Sequence, residues 1–316
     1  MDGAALDEAA HLLAREHVRF RSRRPQAPVG FSEPRRCHEG LAGLLANGFS
    51  GFTALEEGVC VGVMCGRTID GVGFIPAHGL TVDPDLADAT AVMVALLAEV
   101  APILRSDGAS RFTIDHVDIP EVAVALNDVG FGRGSVFASQ PARVGQTPPE
   151  VEIRLGSTSD LDAIAALSHL EFAYRSTPPI YAGLPARTLA ETRAQHDELL
   201  AGGARHFLAR FDGNDVGLLT VEFTSPAPRL LPNDQPYIGP TATHASARGR
   251  GVGHALVQYT LHWAHTNGYE TVSVDFDSAN PLSRPFWLGL DFEPVGYRVR
   301  RSIKAAARPP GPLHEP

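Results

Sequence analysis

Along 252–263, apolar residues recur at helical spacing. Val252, Ala255, Leu256, Tyr259 and Trp263 share one face of a predicted helix. Directly downstream, 270–276 (ETVSVDF) alternates apolar and polar positions, the period of a half-buried strand. Upstream, 206–210 and 216–223 predict two strands of a hairpin turned at Asp212-Gly213-Asn214, and 237–243 predicts a further strand. The run Ser159-Asp-Leu-Asp-Ala-Ile-Ala-Ala-Leu167 predicts a helix capped by Ser159, with Asp160 and Asp162 in its first turn. Between these elements, 169–185 (HLEFAYRSTPPIYAGLP) is rich in aromatics and proline and reads as a long connection.

The segment 138–150 (ASQPARVGQTPPE) is polar, proline-bearing and without period, which marks a linker between two nearly equal halves. The halves match each other at an offset of about 161 residues. Leu80 and Val82 fall on Thr241 and Thr243, Pro120 on Pro281, Leu126 on Trp287 and Phe131 on Phe292. A predicted helix over 87–104 falls on the helix starting at 252, and a strand over 111–115 falls opposite 271–276 with a one-residue slip. A shared offset across several elements is the mark of a tandem duplication. The predicted domains are 1–140 and 151–304, with 305–316 as a flexible tail.

The densest chemistry lies at Arg248-Gly249-Arg250-Gly251-Val252-Gly253-His254. Three glycines let the backbone turn tightly and approach a ligand closely. The helix that follows offers free N–H groups and the positive end of its dipole. The backbone N–H groups of residues 249–254 therefore form a seat for a phosphate or pyrophosphate, with Arg248 or Arg250 adding charge. A P-loop is excluded because no lysine follows Gly253. A dinucleotide or methyl-donor fold places an acid about 20 residues on, where Asp275 stands, but lacks its third glycine here. In the first half the same offset puts Ala87, Thr90 and Val92 at the positions of Arg248, Gly251 and Gly253, among Asp83, Asp85 and Asp88. Carboxylates there repel a pyrophosphate, so the first half reads as a degenerate copy that supports the second.

The loop resembles the acyl-CoA pyrophosphate loop of the GNAT superfamily of N-acetyltransferases, Gln/Arg-x-x-Gly-x-Gly/Ala between a strand and a helix. The resemblance continues through Asn280-Pro-Leu-Ser283 and Phe286-Trp287-Leu-Gly-Leu-Asp-Phe292 and covers about 150–303. It implies two tandem α/β domains, each a mostly antiparallel mixed sheet flanked by helices, of which only the second binds acetyl-CoA. It implies that Thr241, Ala242 and Thr243 lie on a splayed strand whose N–H groups hold the thioester carbonyl. Arg248, Gly249, Arg250, Gly251, Val252, Gly253 and His254 then cradle the pyrophosphate, and Asn280, Ser283 and Phe286 line the pantetheine arm. The implied reaction is direct acetyl transfer to the primary amine of a small molecule, with 169–185 lining the acceptor pocket. For the general base and proton relay the sequence offers Glu222, Asp275 and Tyr181, with Asp277, His244 and Tyr237 as further candidates. Two positions depart from the family. Trp287 stands where a tyrosine usually protonates the departing thiolate, and indole is no acid at neutral pH. Ser283 replaces the usual alanine. The missing tyrosine keeps open an alternative, a non-catalytic acyl-CoA-binding sensor or scaffold.

Composition narrows the partners. A net charge of −9 over 316 residues argues against nucleic acid and favours cationic partners such as amines. Cys37, Cys60 and Cys65 cannot all pair, and without a basic-then-apolar leader the chain is expected in the reducing cytoplasm. No stretch is expected to span a membrane. No Cys/His cluster has zinc spacing, and His262 and His265 are expected at the surface, so no metal is implied. The oligomeric state is not legible.

Overall fold

The computed structural model describes residues 1, 3–145, 150–182 and 186–303. The expected tail, the middle of the linker and 183–185 of the long connection lie outside the described residues. The first half runs α1 (Gly3–Arg23), α2 (Pro34–Ala46), β1 (Ser50–Glu56), β2 (Val59–Ile69), β3 (Val72–Ile75), β4 (Leu80–Val82), α3 (Ala89–Ser106), β5 (Arg111–Val117), α4 (Pro120–Asp128) and β6 (Gly132–Pro141). The second runs β7 (Glu152–Leu155), α5 (Leu161–Arg175), α6 (Leu189–Ala201), β8 (Arg205–Phe211), β9 (Asn214–Glu222), β10 (Tyr237–Thr243), α7 (Val252–Thr266), β11 (Thr271–Asp277), α8 (Ser283–Gly289) and β12 (Glu293–Ser302). The fold is mixed α/β, mostly antiparallel, with helices flanking the strands.

From α2 and α6 onward, the order of helices and strands repeats between the halves, except that β3 of the first half has no counterpart in the second. The offset is not constant. Leu189 follows Pro34 and Arg205 follows Ser50 by 155 residues, whereas Glu293 follows Gly132 by 161. The difference accumulates between β9 and β10, where 223–236 forms a longer connection than its counterpart before β4. The compact units are also interleaved in sequence. One comprises Met1–Arg19, Gly30–Gly132 and the described chain from Arg298; the other comprises Phe20–Val29 and Arg133–Tyr297. The expected boundary at 140 therefore falls inside the second unit, where β6 pairs antiparallel with β11 from Ser135↔Asp277 to Pro141↔Thr271.

In the first unit, β2 pairs antiparallel with β1, β3 and β4, and β3 pairs parallel with β5. Helix α3 buries Met93, Leu96, Val100 and Leu104. A full burial of such a side chain stabilises by about 1.5–3 kcal/mol. The approach is close because β2 has a glycine beneath the helix. A Cβ at Gly62 would stand 2.6 Å from Val92 Cγ1 and 3.0 Å from Leu96 Cδ1. Among the described residues, α3 is the one helix long and apolar enough to cross a membrane by length and composition. It carries Glu99 and Arg105 and lays one face on this unit.

The second unit repeats the packing of a helix over a strand glycine, but one strand, β10, pairs both its neighbours where the first unit uses β3 and β4. Its strands pair in the order β6, β11, β10, β9, β8, β7, with β10–β11 parallel and the others antiparallel. Helix α7 lies over Gly217 of β9, where a Cβ would stand 2.8 Å from Val252 Cγ1 and 3.0 Å from Leu256 Cδ1. Matching the contacts at Gly62 and Gly217 pairs Val92 with Val252 and Leu96 with Leu256, an offset of 160. Arg248 then corresponds to Asp88, and Gly251 to Ala91, one residue away from the sequence expectation. Asp88 caps α3, its Oδ1 accepting the Ala91 N–H at 2.9 Å. The first unit thus fills with its own carboxylate the helix end that an arginine and glycines occupy in the second. Asp83 and Asp85 beside it are held by Arg15 and Arg19 of α1. The three cysteines are free and buried.

Candidate active site

The site is built where β10 parts from β11. Their parallel pairing covers Tyr237↔Ser273 and Ile238↔Val274 and then stops. Thr241, Ala242 and Thr243 continue as partners of β9 alone, after a register shift between Ile238 and Thr241. Gly239 and Pro240 occupy that shift, and proline cannot donate to a ladder. The opening gives on to a cavity of about 600 Å³, all of it within the second unit.

At one end lies the glycine loop. Gly249 and Gly251 take φ of 73° and 79°, the left-handed region that glycine enters without strain. A Cβ on either would meet nothing within 4 Å, so both face open space. Gly251 caps α7, whose first backbone bond is Ala255 N–H to Gly251 O at 2.9 Å. The N–H groups of Val252, Gly253 and His254 therefore have no acceptor within the helix. Gly253 is packed by Phe286, whose ring lies 3.3 Å from where a Cβ would stand. The Arg248 guanidinium lies 5.7 Å from the centre of the Tyr174 ring. Free N–H groups, an arginine and open space at a helix start fit a pyrophosphate.

At the other end the walls are acidic. Glu222 ends β9, Asp275 and Asp277 stand two apart on β11, and Glu171 and Arg175 come from the last turns of α5. Arg175 Nε donates to Asp277 Oδ2 at 2.7 Å, and its Nη1 donates to Glu171 Oε1 at 3.3 Å. Tyr237 Oη donates to Asp275. The Glu222 carboxylate presses against Gly239, where a Cβ would collide with its Oε1 at 2.2 Å. Burial raises the Glu222 pKa, and the nearby Asp275 charge raises it further. Burial also raises Glu171, with Arg175 opposing and Asp277 and Asp275 reinforcing the shift. For Arg175, burial lowers the pKa, but Glu171 and Asp277 more than reverse it and the guanidinium stays charged. Four carboxylates against one guanidinium leave this end negative, suited to a cation.

The cavity brings together Glu222, Asp275, Thr241, Ala242, Thr243, Arg248, Gly249, Gly251, Val252, Gly253, His254, Asn280, Ser283 and Phe286. Three expected residues lie outside it. Arg250 turns away, its Nη1 3.6 Å from Asp212 Oδ2 and its guanidinium 4.3 Å from the Phe211 ring centre. Tyr181 is 67% exposed and does not line the cavity. His244 is also outside, its Nδ1 sharing a hydrogen bond with Ser246 Oγ at 2.8 Å. Asn280 is a cap, its Oδ1 accepting the N–H groups of Leu282 and Ser283 at 3.0 Å each.

Leu170, Glu171, Tyr174 and Arg175 are lining residues that the sequence reading assigned to a loop. The helix continues from Leu161 to Arg175 and so presents them one turn apart. Their 170/171, 174/175 spacing was the available signal. Among the described residues no group of three or more His, Cys, Asp or Glu could hold a metal ion.

The sequence model of the acetyltransferase (GNAT) family matches residues 168–292, so the chain carries a GNAT-family domain there. That domain contains the glycine loop, the parted strands and the acidic wall. A tandem GNAT protein from the clavulanic acid biosynthesis pathway is similar in fold, with 17% identity, a TM-score of 0.50, and coverage of 82% of this chain and 84% of that one. A GCN5-related N-acetyltransferase from Sphaerobacter thermophilus is similar at 15% identity and a TM-score of 0.53, covering 79% of each chain. A GNAT-family acetyltransferase from Colwellia psychrerythraea matches at 13% identity and 0.51, covering 85% of this chain and 89% of its own. No curated protein sequence matches the chain.

Proposed function

We propose that the protein is an acetyl-CoA-dependent N-acetyltransferase that transfers acetyl directly to the primary amine of a small molecule in a ternary complex. The observation that carries this reading is the continuous cavity from the glycine loop to the carboxylates through the break between β10 and β11. The free N–H groups of 252–254, with Arg248, bind the pyrophosphate. Those N–H groups along 241–243 that face away from β9 polarise the thioester carbonyl as charge builds on its oxygen. Glu222, its pKa raised by burial and by Asp275 and free of any ion pair among the described residues, takes the proton of the attacking ammonium. The negative far end draws in a cationic acceptor, and a cavity of about 600 Å³ has room for a small one.

The first unit, with Asp88 in place of Arg248, is proposed to bind no acetyl-CoA. Calorimetric titration with acetyl-CoA tests this, with one site per chain expected. Release of free thiol on adding a panel of small amines is the accompanying assay. Absence of binding removes the reading, and binding without thiol release for every amine removes the catalytic part of it.

A further inference from the structure

Acetyl transfer forms a C–N bond and breaks a C–S bond. The amine nitrogen gives up one proton before attack and another as the amide forms, while the departing thiolate takes one up. A negative sulfur therefore develops in the cavity and needs a partner there. Trp287 cannot supply an acidic proton. It is 4% exposed and held edge-on between Phe286 and Phe292, with ring centres 4.9 and 5.2 Å away. Of the other hydroxyls on the cavity wall, those of Tyr174 and Thr243 are not among the buried groups without a partner, and those of Tyr237 and Thr241 are committed elsewhere: Tyr237 donates to Asp275, and Thr241 Oγ1 to Gly239 O at 3.1 Å. Ser283 is not. Its Oγ is buried and has no hydrogen-bond partner among the described residues. It lines the cavity one helical turn before Trp287 and so shares its face of α8. A buried hydroxyl left unpaired is costly, which is accounted for if a ligand completes the bond.

We propose that Ser283 Oγ–H donates a hydrogen bond to the acyl-CoA sulfur as it becomes a thiolate, taking over part of the work of the absent tyrosine. The proposal rests on the acetyl-CoA reading of this cavity. Serine does not ionise near neutral pH, so Ser283 keeps its proton. Glu222 accepts the first proton of the ammonium, and the second nitrogen proton passes to the sulfur as the thiol leaves.

The test is a pH titration of the CoA thiol, followed by thiolate absorbance, while CoA is bound to wild type, Ser283→Ala and Ser283→Thr. Wild type and Ser283→Thr are expected to ionise the bound thiol at lower pH than Ser283→Ala by about one unit, a tenfold change in thiolate stability. In turnover, Ser283→Ala is expected to lower kcat at least tenfold while the KM for acetyl-CoA changes less than threefold. Identical thiol titrations, or a loss confined to KM, overturn the role of Ser283 and leave the cofactor reading standing. Failure of wild type to bind CoA overturns both.

Discussion

Arg175 and Asp277 join the last turn of α5 to the end of β11 through an Nε–Oδ2 contact of 2.7 Å, with the Asp277 side chain 5% exposed. The pair closes the acidic end of the cavity. Removing only the guanidinium leaves a buried carboxylate without its counter-charge, which costs about 3 kcal/mol. Arg175→Met is therefore expected to lower the denaturation midpoint clearly. Arg175→Met with Asp277→Leu should recover most of the loss, because the unpaired charge goes with its partner. A double variant as unstable as the single one would show that the pair acts by some other means than charge compensation.

As the proposed base, Glu222 should set the acid limb of the pH–rate profile. Its pKa is raised, so activity should climb as pH rises through that elevated value, where the carboxylate forms. Burial is the larger cause and the Asp275 charge the smaller. Asp275→Asn removes only the second, so the limb should move to lower pH while staying above that of an ordinary carboxylate. Glu222→Gln should lower kcat by about 10²–10⁴ and abolish the limb. A limb that stays in place in Glu222→Gln assigns the base to another group.

The parts of this site that sequence revealed are the local ones. Gly249, Gly251 and Gly253 announce their loop, because glycine at a helix start has few other uses, and the apolar face at Val252, Leu256 and Tyr259 announces α7. The acidic wall was only partly legible. Glu222, Asp275 and Glu171 come from three elements far apart in sequence, and no local period reports that they meet. Glu171 and Arg175 were hidden because aromatics at 172 and 174 and prolines at 178 and 179 gave the end of α5 the look of a loop. Tyr181 was chosen from that loop, whereas Tyr174, one turn inside the helix, lines the cavity together with Tyr237. The alignment of the halves slipped by one at α7 because Gly62 and Gly217, which set the helices in place, lie outside the matched motifs.

His196 on α6 and His206 on β8 are fully buried, with ring centres 4.9 Å apart. Burial, then the His206 and Arg187 charges, lowers the His196 pKa to about 4 from its ordinary 6.5. A depressed histidine pKa means that the folded state resists a proton that the unfolded state accepts. The associated stability is intact above about 6.5 and is lost as pH falls toward 4, by about 3 kcal/mol in all. Urea denaturation between pH 4 and 7.5 should show this slope, and His196→Leu should flatten it. An unchanged slope in His196→Leu would place the acid sensitivity elsewhere.

Gly251 separates charge from backbone strain. Its φ of 79° is strained for most side chains, but aspartate and asparagine tolerate that region best. The chain already holds Asp70, Asp212, Asp234 and Asp291 at positive φ. Gly251→Asp should therefore fold with a melting temperature near that of the parent while placing a carboxylate in the phosphate seat. Gly251→Asn has the same shape without the charge. Acetyl-CoA affinity should fall more than about 100-fold in Gly251→Asp, about 3 kcal/mol, and less than about tenfold in Gly251→Asn. The gap should narrow as salt is added, since the repulsion is between a side chain and a phosphate at an exposed helix end. Equal losses in the two variants would mean that the site needs the glycine for space, and unchanged affinity in both would remove the pyrophosphate from this loop.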